Sequence, residues 1–312
     1  MLMQRGPFAL AVVACVLSST LASSAQALPS IHIVTLPVDS GAEAFYAADQ
    51  GFFKNAGLDA SIDVMPNGGA TIAAVSSGAA DIGFSNVFSL AQAFNHGVPI
   101  TLIAGAGLAT QTSPTALVVV DASSPVRTAK DLSGKTFAVD ALKSITELAP
   151  RAWIDKNGGD SSAVKFLEMP FGEMAVALAQ HRVDAALLPE PFLTRAQATV
   201  RSIGDAYPAV AKQFLIGAFF TTTTWAKAHP DLLKRFVAAI HETAPWANRN
   251  RAQTAAILAK NSKIDAATLG AMRRVMYAET LAPDVVQPVI DIAAKYHVID
   301  SDFAAKSMIY AE

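Results

Sequence analysis

A chain of 312 residues is long enough for one large domain or two ordinary ones, each with its own core. Apolar residues make up 52% and charged residues 16%, and a net charge of −2 presents no basic surface for nucleic acid or an anionic membrane. The single cysteine excludes an internal disulfide framework.

The amino terminus reads as a secretory signal peptide over residues 1–27. Arg5 is its one early charge, Phe8–Leu17 its apolar core, and Ala25-Gln26-Ala27 its small-x-small cleavage site, so the exported chain begins at Leu28. That apolar run is too short to span a bilayer permanently. Cys15 follows Val12-Val13-Ala14, a loose likeness to a lipoprotein box, but the apolar run continues through Val16-Leu17 and favours ordinary cleavage. The exported protein then has no cysteine, and its expected compartment is the periplasm.

From there the chain reads as an α/β alternation. Ile31–Leu36 is a strand, Pro37–Ser40 a loop, and a helix carrying Phe45, Tyr46, Phe52 and Phe53 ends near Gly57. Strand Ala60–Met65 leads into Asn67-Gly68-Gly69, which opens a short helix that stops at Gly78. The buried tetrad Asp81-Ile82-Gly83-Phe84 follows, then Ser85-Asn86 and a helix over Val87–His96. Ile100–Gly105 is a strand and Ala109–Pro114 a polar loop. Thr115–Val120 is a β-branched run suited to crossing into a second unit. That unit holds strand Thr136–Val139, a helix opened by Ser144, strand Val164–Leu167, helix Gly172–His181 and strand Ala185–Leu188. A helix with Pro191 in its first position closes it. Gln213–Thr224 is a candidate return crossing, and helical blocks cover Pro230–Asn248, Arg251–Lys260, Ala266–Tyr277 and Pro283–Tyr296.

The two units echo each other. Met65-Pro66-x-Gly68 returns at Met169–Gly172, an offset of 104, and Asp81 with its strand returns at Asp184, an offset of 103. Ser40-x-x-Glu43 and Ser144-x-x-Glu147 both read as capping boxes, again 104 apart. Three matches in register imply two similar lobes.

No catalytic constellation stands out. The six histidines are far apart with no i,i+4 pair, and no P-loop or Gly-x-Ser-x-Gly is present, so neither a metal site nor a cofactor is expected. What recurs is small or polar residues where strands give way to helices. They are Asp39, Ser40 and Gly41, Asn67 and Gly68, Ser85 and Asn86, Lys143 and Ser144, Phe171 and Gly172, and Glu190. In open α/β sheets ligands bind at these carboxyl ends, and helix N-termini offer N–H donors to an anion or carbonyl. Lys143 and the junction amides suit a negative group, whereas Asp39 and Glu190 suit an amine or ring N–H. Phe45, Tyr46, Phe88, Phe171 and Phe192 serve either as an apolar wall of that site or as core.

With these residues in place, the chain resembles the periplasmic substrate-binding proteins of ABC importers. It is most similar to the group that binds sulfonates, nitrate and thiamine-pyrimidine precursors. The resemblance rests on Phe45–Phe53, Gly78–Gly83, Val183–Ala186 with Glu190-Pro191-Phe192, and His229-Pro230-Asp231-Leu232. It implies an α/β, two-lobed type II periplasmic-binding-protein fold with two crossover strands and C-terminal helices that return to the first lobe. Lobe 1 would be 28–118 with 222–312, and lobe 2 would be 119–221. It further implies a monomer that takes a small organic or inorganic ligand, anionic (sulfonate-, nitrate- or carboxylate-like) or pyrimidine-like, hands it to an ABC permease and performs no catalysis. Two alternatives stay open. One is an enzyme like the eukaryotic thiamine-pyrimidine synthases, whose cysteine-rich motif is missing here. The other is a protein that presents its ligand to a membrane sensor.

Overall fold

The computed structural model describes residues 1–2, 27–261 and 264–311. Nearly all of the expected signal peptide, Cys15 included, therefore lies outside the described residues. Among those described, no helix is long and apolar enough to cross a membrane.

The first lobe begins with β1 (Ser30–Thr35), α1 (Glu43–Asp49), α2 (Phe52–Asn55), β2 (Asp59–Val64) and α3 (Gly68–Ser76). It continues with β3 (Ile82–Asn86), α4 (Val87–Asn95) and β4 (Ile100–Gly105). The connecting β5 (Gly107–Thr110) leads to the second lobe: β6 (Ala116–Asp121), β7 (Thr136–Val139), α5 (Ile145–Lys156), β8 (Lys165–Glu168), α6 (Phe171–Ala179), β9 (Ala185–Pro189), α7 (Phe192–Ala196) and β10 (Val200–Gly204). The chain returns through β11 (Gln213–Leu215) and β12 (Gly217–Thr222). It finishes with α8 (Thr223–Ala228), α9 (Pro230–Arg249), α10 (Arg251–Asn261), α11 (Ala266–Ala271), β13 (Met276–Tyr277) and α12 (Pro283–Lys295).

The two large sheets have the same plan. The first runs β2-β1-β3-β12-β4 and the second β8-β7-β9-β6-β10. In each, the first three strands are parallel, and the fourth, donated by a crossing, is antiparallel to both neighbours. A third, antiparallel sheet, β11-β5-β13, joins the two segments that run between the lobes, β5 and β11, to β13 of the carboxy-terminal region.

This symmetry explains the sequence echo. The amides of Met65 and Met169 donate to the last carbonyls of β1 and β7, Thr35 (2.7 Å) and Val139 (2.9 Å). A proline follows each methionine and, lacking an N–H, ends the ladder there. Asp81 and Asp184 are equivalent too. Their carboxylates accept the His32 amide at 2.8 Å and the Thr136 amide at 2.9 Å, pinning β3 to β1 and β9 to β7. Both aspartates sit at the strand ends away from the junctions where a ligand would bind, so this shared signature is structural.

β3 is buried along its whole length, and Phe84, Phe219 and Phe220 of the β3–β12 pair are at most 1% exposed. Each such ring contributes roughly 1.5–3 kcal/mol by leaving water. Helix α9 closes this lobe: Phe236 stacks on Phe53 with centroids 5.7 Å apart and meets Phe219 edge-on at 5.4 Å. The carboxy-terminal tail also returns here, with the Leu102 amide donating to Met308 O at 2.7 Å.

Several local expectations are corrected. The helix after β1 breaks into α1 and α2 at Gly51, whose φ of 80° interrupts helical geometry. Ser40 does not cap it, because the chain makes a 3-10 turn over Asp39–Gly41 and the N-cap is Ala42, without a side-chain bond. The second box holds in part: Ser144 caps α5 through the Thr146 amide, but Glu147 takes the Lys143 amide rather than that of Ser144. The loop placed at Ala109–Pro114 begins inside β5, because β11 and β13 satisfy its backbone. Pro191 is the N-cap of α7 rather than its first residue. The block Ala266–Tyr277 is helical only to Ala271, since Arg274 and Val275 are drawn out to Asp39.

Candidate functional site

The expected site residues fall into three groups. At the tips of β2 and β3, Gly68, Ser85 and Asn86 converge. A Cβ on Gly68 would lie 2.4 Å from Ser85 Oγ and 3.0 Å from Asn86 Nδ2, so only glycine permits this approach. Asn67 Oδ1 caps α3 by accepting the Ala70 amide at 3.0 Å, and Asn86 Oδ1 caps α4 by accepting the Ser89 amide at 2.9 Å. Ser85 Oγ is buried with no hydrogen-bond partner among the described residues.

The second group joins the lobes. The Asp39 amide donates to Glu190 O at 3.1 Å. Asp39 is 2% exposed, yet its carboxylate is fully engaged: Arg274 Nε donates to Oδ1 at 3.0 Å and the Val275 amide to Oδ2 at 2.7 Å. Tyr277 Oη donates to Asp39 O, and Arg274 also donates to Tyr46 Oη and Thr254 Oγ1. Burial drives the phenols of Tyr46 and Tyr277 above their ordinary values. Glu190 accepts from the Thr194 amide (3.1 Å), Thr194 Oγ1 (3.0 Å) and the Arg273 amide (3.3 Å). Burial raises its carboxyl nonetheless. Both acids are thus committed within the protein, Glu190 as a cap of α7. Ser40 packs beside Gly107, and Gly41 O accepts from Thr35 Oγ1 at 2.6 Å.

The third group is in the second lobe. Ser144 Oγ donates to Asp140 Oδ1 at 2.9 Å, and Thr146 Oγ1 donates to the same oxygen. Asp140, which the sequence reading passed over, is itself raised by burial. Lys143 is exposed with φ 59°. Phe171, ahead of exposed Gly172, stacks on Phe192 with centroids 5.4 Å apart and planes 27° from parallel.

Next to the second group lies a cavity of about 370 Å³. The first lobe lines it with Leu36, Pro37, Val38, Ala42, Phe45 and Val64, and the second with Pro191, Phe192 and Arg195. Leu258, Asn261 and Ile264, from α10 and the turn beyond it, close the third side. None of the junction residues named from sequence lines it; Val38 and Ala42, which flank Asp39–Gly41, and Pro191, next to Glu190, do. Of the candidate wall aromatics, Phe45 and Phe192 face it, Phe171 backs Phe192, and Tyr46 and Phe88 are core. Arg195 and Asn261 were missed; no motif marks either. A larger groove, of about 550 Å³, involves only β4, α9, the turn before α12 and the tail, so it cannot join the lobes.

Two lobes with one strand order, a small sheet between them and a cavity walled by both define a type II periplasmic-binding fold. By sequence, the chain belongs to the NMT1/THI5-like family, whose model matches residues 41–254. A protein of Brucella abortus (strain 2308) named as a binding protein is 25% identical over 261 residues, spanning 78% of this chain and 77% of its own. The periplasmic aliphatic sulphonate binding protein SsuA of Escherichia coli superposes with a TM-score of 0.72 at 15% identity, over 90% of this chain and 92% of that one. The periplasmic nitrate-binding protein NrtA of Synechocystis PCC 6803 gives 0.74 at 13% identity, over 90% and 84%. The desulfurization enzyme DSZB also shares the fold, with a TM-score of 0.68 at 15% identity over 91% and 97%. At these identities the structural likeness concerns the fold alone.

Proposed function

We propose that this protein is a periplasmic solute-binding protein that captures a small organic anion between its lobes and delivers it, as a monomer, to an ABC permease. The observation that carries the reading is the cavity walled by Val38 and Phe45 from one lobe and Pro191 and Phe192 from the other. A ligand held there touches both lobes at once, so it stabilises a closed arrangement through contacts that an open one lacks. The sheet β11-β5-β13 is the natural hinge, since β5 and β11 are the segments running between lobes. The expected bounds, 28–118 with 222–312 and 119–221, fall inside β6 and β12; giving each strand whole to the sheet it joins moves the divisions to just before Ala116 and just before Gly217. The signal-peptide pattern of residues 1–27 and the Brucella relative named as a binding protein support the location and the role.

The reading is non-catalytic. A thermal-shift screen across sulfonates, nitrate, aromatic carboxylates and pyrimidines should find a ligand that raises the melting temperature by mass action. It should bind one per chain and be recovered unchanged by mass spectrometry. Conversion of that ligand into a new product would instead support an enzyme.

A further inference from the structure

Resting on that reading, we propose that the ligand is an aryl monoanion, a ring bearing one carboxylate or sulfonate, with Arg195 as the residue that selects its charge. Three features of the inter-lobe cavity carry this.

The first is the sign of its charge. Arg195 is the one ionisable side chain among the described residues that line it. The nearby acids are already committed, Asp39 to Arg274 at 3.0 Å and Glu190 to the first turn of α7. Arg195 itself makes no ion pair and no side-chain hydrogen bond with a described residue, so its fork of donors is free for an oxyanion. Asn261, the other polar side chain of the lining, already donates its amide to Ile257 O at 2.9 Å.

The second is the wall. Pro37, Val38 and Phe45 from one lobe and Pro191 and Phe192 from the other present apolar surface. A small, fully hydrated anion such as nitrate would have to give up water on all sides and find donors on one, which is unfavourable. An apolar body attached to the anion removes that penalty and gains burial on both sides.

The third is shape. Phe192 is held by its stack on Phe171, so it offers a pre-set flat face on which a ligand ring can lie without ordering a loose side chain. A volume of about 370 Å³ admits a substituted single ring.

The test is titration calorimetry on the mature protein and on Arg195→Gln, an exposed position whose change spares the core. The probes are benzoate, phenylacetate and benzenesulfonate, with benzamide as the uncharged isostere and nitrate and sulfate as small anions. The aryl anions should bind one per chain, with benzamide, nitrate and sulfate at least about tenfold weaker. Arg195→Gln should weaken the aryl anions by about 10- to 100-fold and leave benzamide unchanged, the range expected for a charge-assisted hydrogen bond. Tighter binding of nitrate, sulfate or benzamide, no binding by any aryl anion, or wild-type affinity in Arg195→Gln would overturn the proposal. Solute binding between the lobes would survive that result if another ligand of the wider screen still stabilised the protein. Failure of the whole screen would remove both.

Discussion

Replacing Arg274 by methionine tests how the two ends of the chain are tied together at the lobe junction. Arg274 is 8% exposed and Asp39 2%, and they meet at 3.0 Å although they are 235 residues apart in sequence. Methionine fills much of the space but removes the Arg274 donor to Asp39 Oδ1, leaving the Val275 amide as the carboxylate's only partner among the described residues. Tyr46 Oη and Thr254 Oγ1 lose a donor as well. Stranding one member of a buried pair costs about 3–5 kcal/mol. At roughly 2–4 °C per kcal/mol for a chain of this size, the melting temperature should fall on the order of 10 °C. Urea unfolding followed by circular dichroism should show a lower midpoint at unchanged slope. Removing the charge too, in Asp39→Asn/Arg274→Met, should restore part of the loss. A deficit below about 1 kcal/mol at pH 7, or a double variant no better than the single one, would refute the reasoning.

Glu43 is fully buried, with neither carboxylate oxygen partnered among the described residues, and burial holds its pKa well above 4.5. The wild type should therefore lose stability relative to Glu43→Gln as pH rises above about 4.5; a difference constant from pH 4 to 8 would contradict this. Asp81 holds the His32 amide and Trp225 Nε1 (2.9 Å) at the end of β3 remote from the cavity. Asp81→Ala should cost about 1–3 kcal/mol by thermal unfolding and leave ligand affinity unchanged in calorimetry. Intact-mass measurement of protein recovered from the periplasm should give Leu28 as the first residue, and a lipid-modified Cys15 would overturn ordinary cleavage.

Much of the fold was legible because its rules are local. The 3.6- and 2-residue rhythms locate most helices and strands, and the Met-Pro and Asp echoes mark two lobes in the sequence itself. What escaped depends on contacts distant in sequence. β5 looks like a polar loop until β11 and β13 supply its partners. The stretch Arg273–Tyr277 carries helical spacing, but Asp39 and Asn248 compete for its amides and win. The cavity is less local. The sequence singles out strand-to-helix junctions, yet Asp39, Asn67, Asn86 and Glu190 spend their side-chain acceptors on backbone amides, Arg274 and Thr194. The cavity is walled instead by residues close to Asp39–Gly41 and Glu190, by Phe45 and Val64, and by α10, which no junction rule reaches.

The most direct test of the account asks whether one ligand touches both lobes. Phe45 and Phe192 are half-buried and line the cavity from opposite lobes, so each can be cut to alanine without opening the core. Calorimetry with a ligand from the screen should show each variant, alone, binding at least about tenfold more weakly at an unchanged stoichiometry of one per chain, the scale of losing a ring contact. Wild-type affinity in either Phe45→Ala or Phe192→Ala would mean that the ligand does not bridge the lobes there, and the central claim would fall.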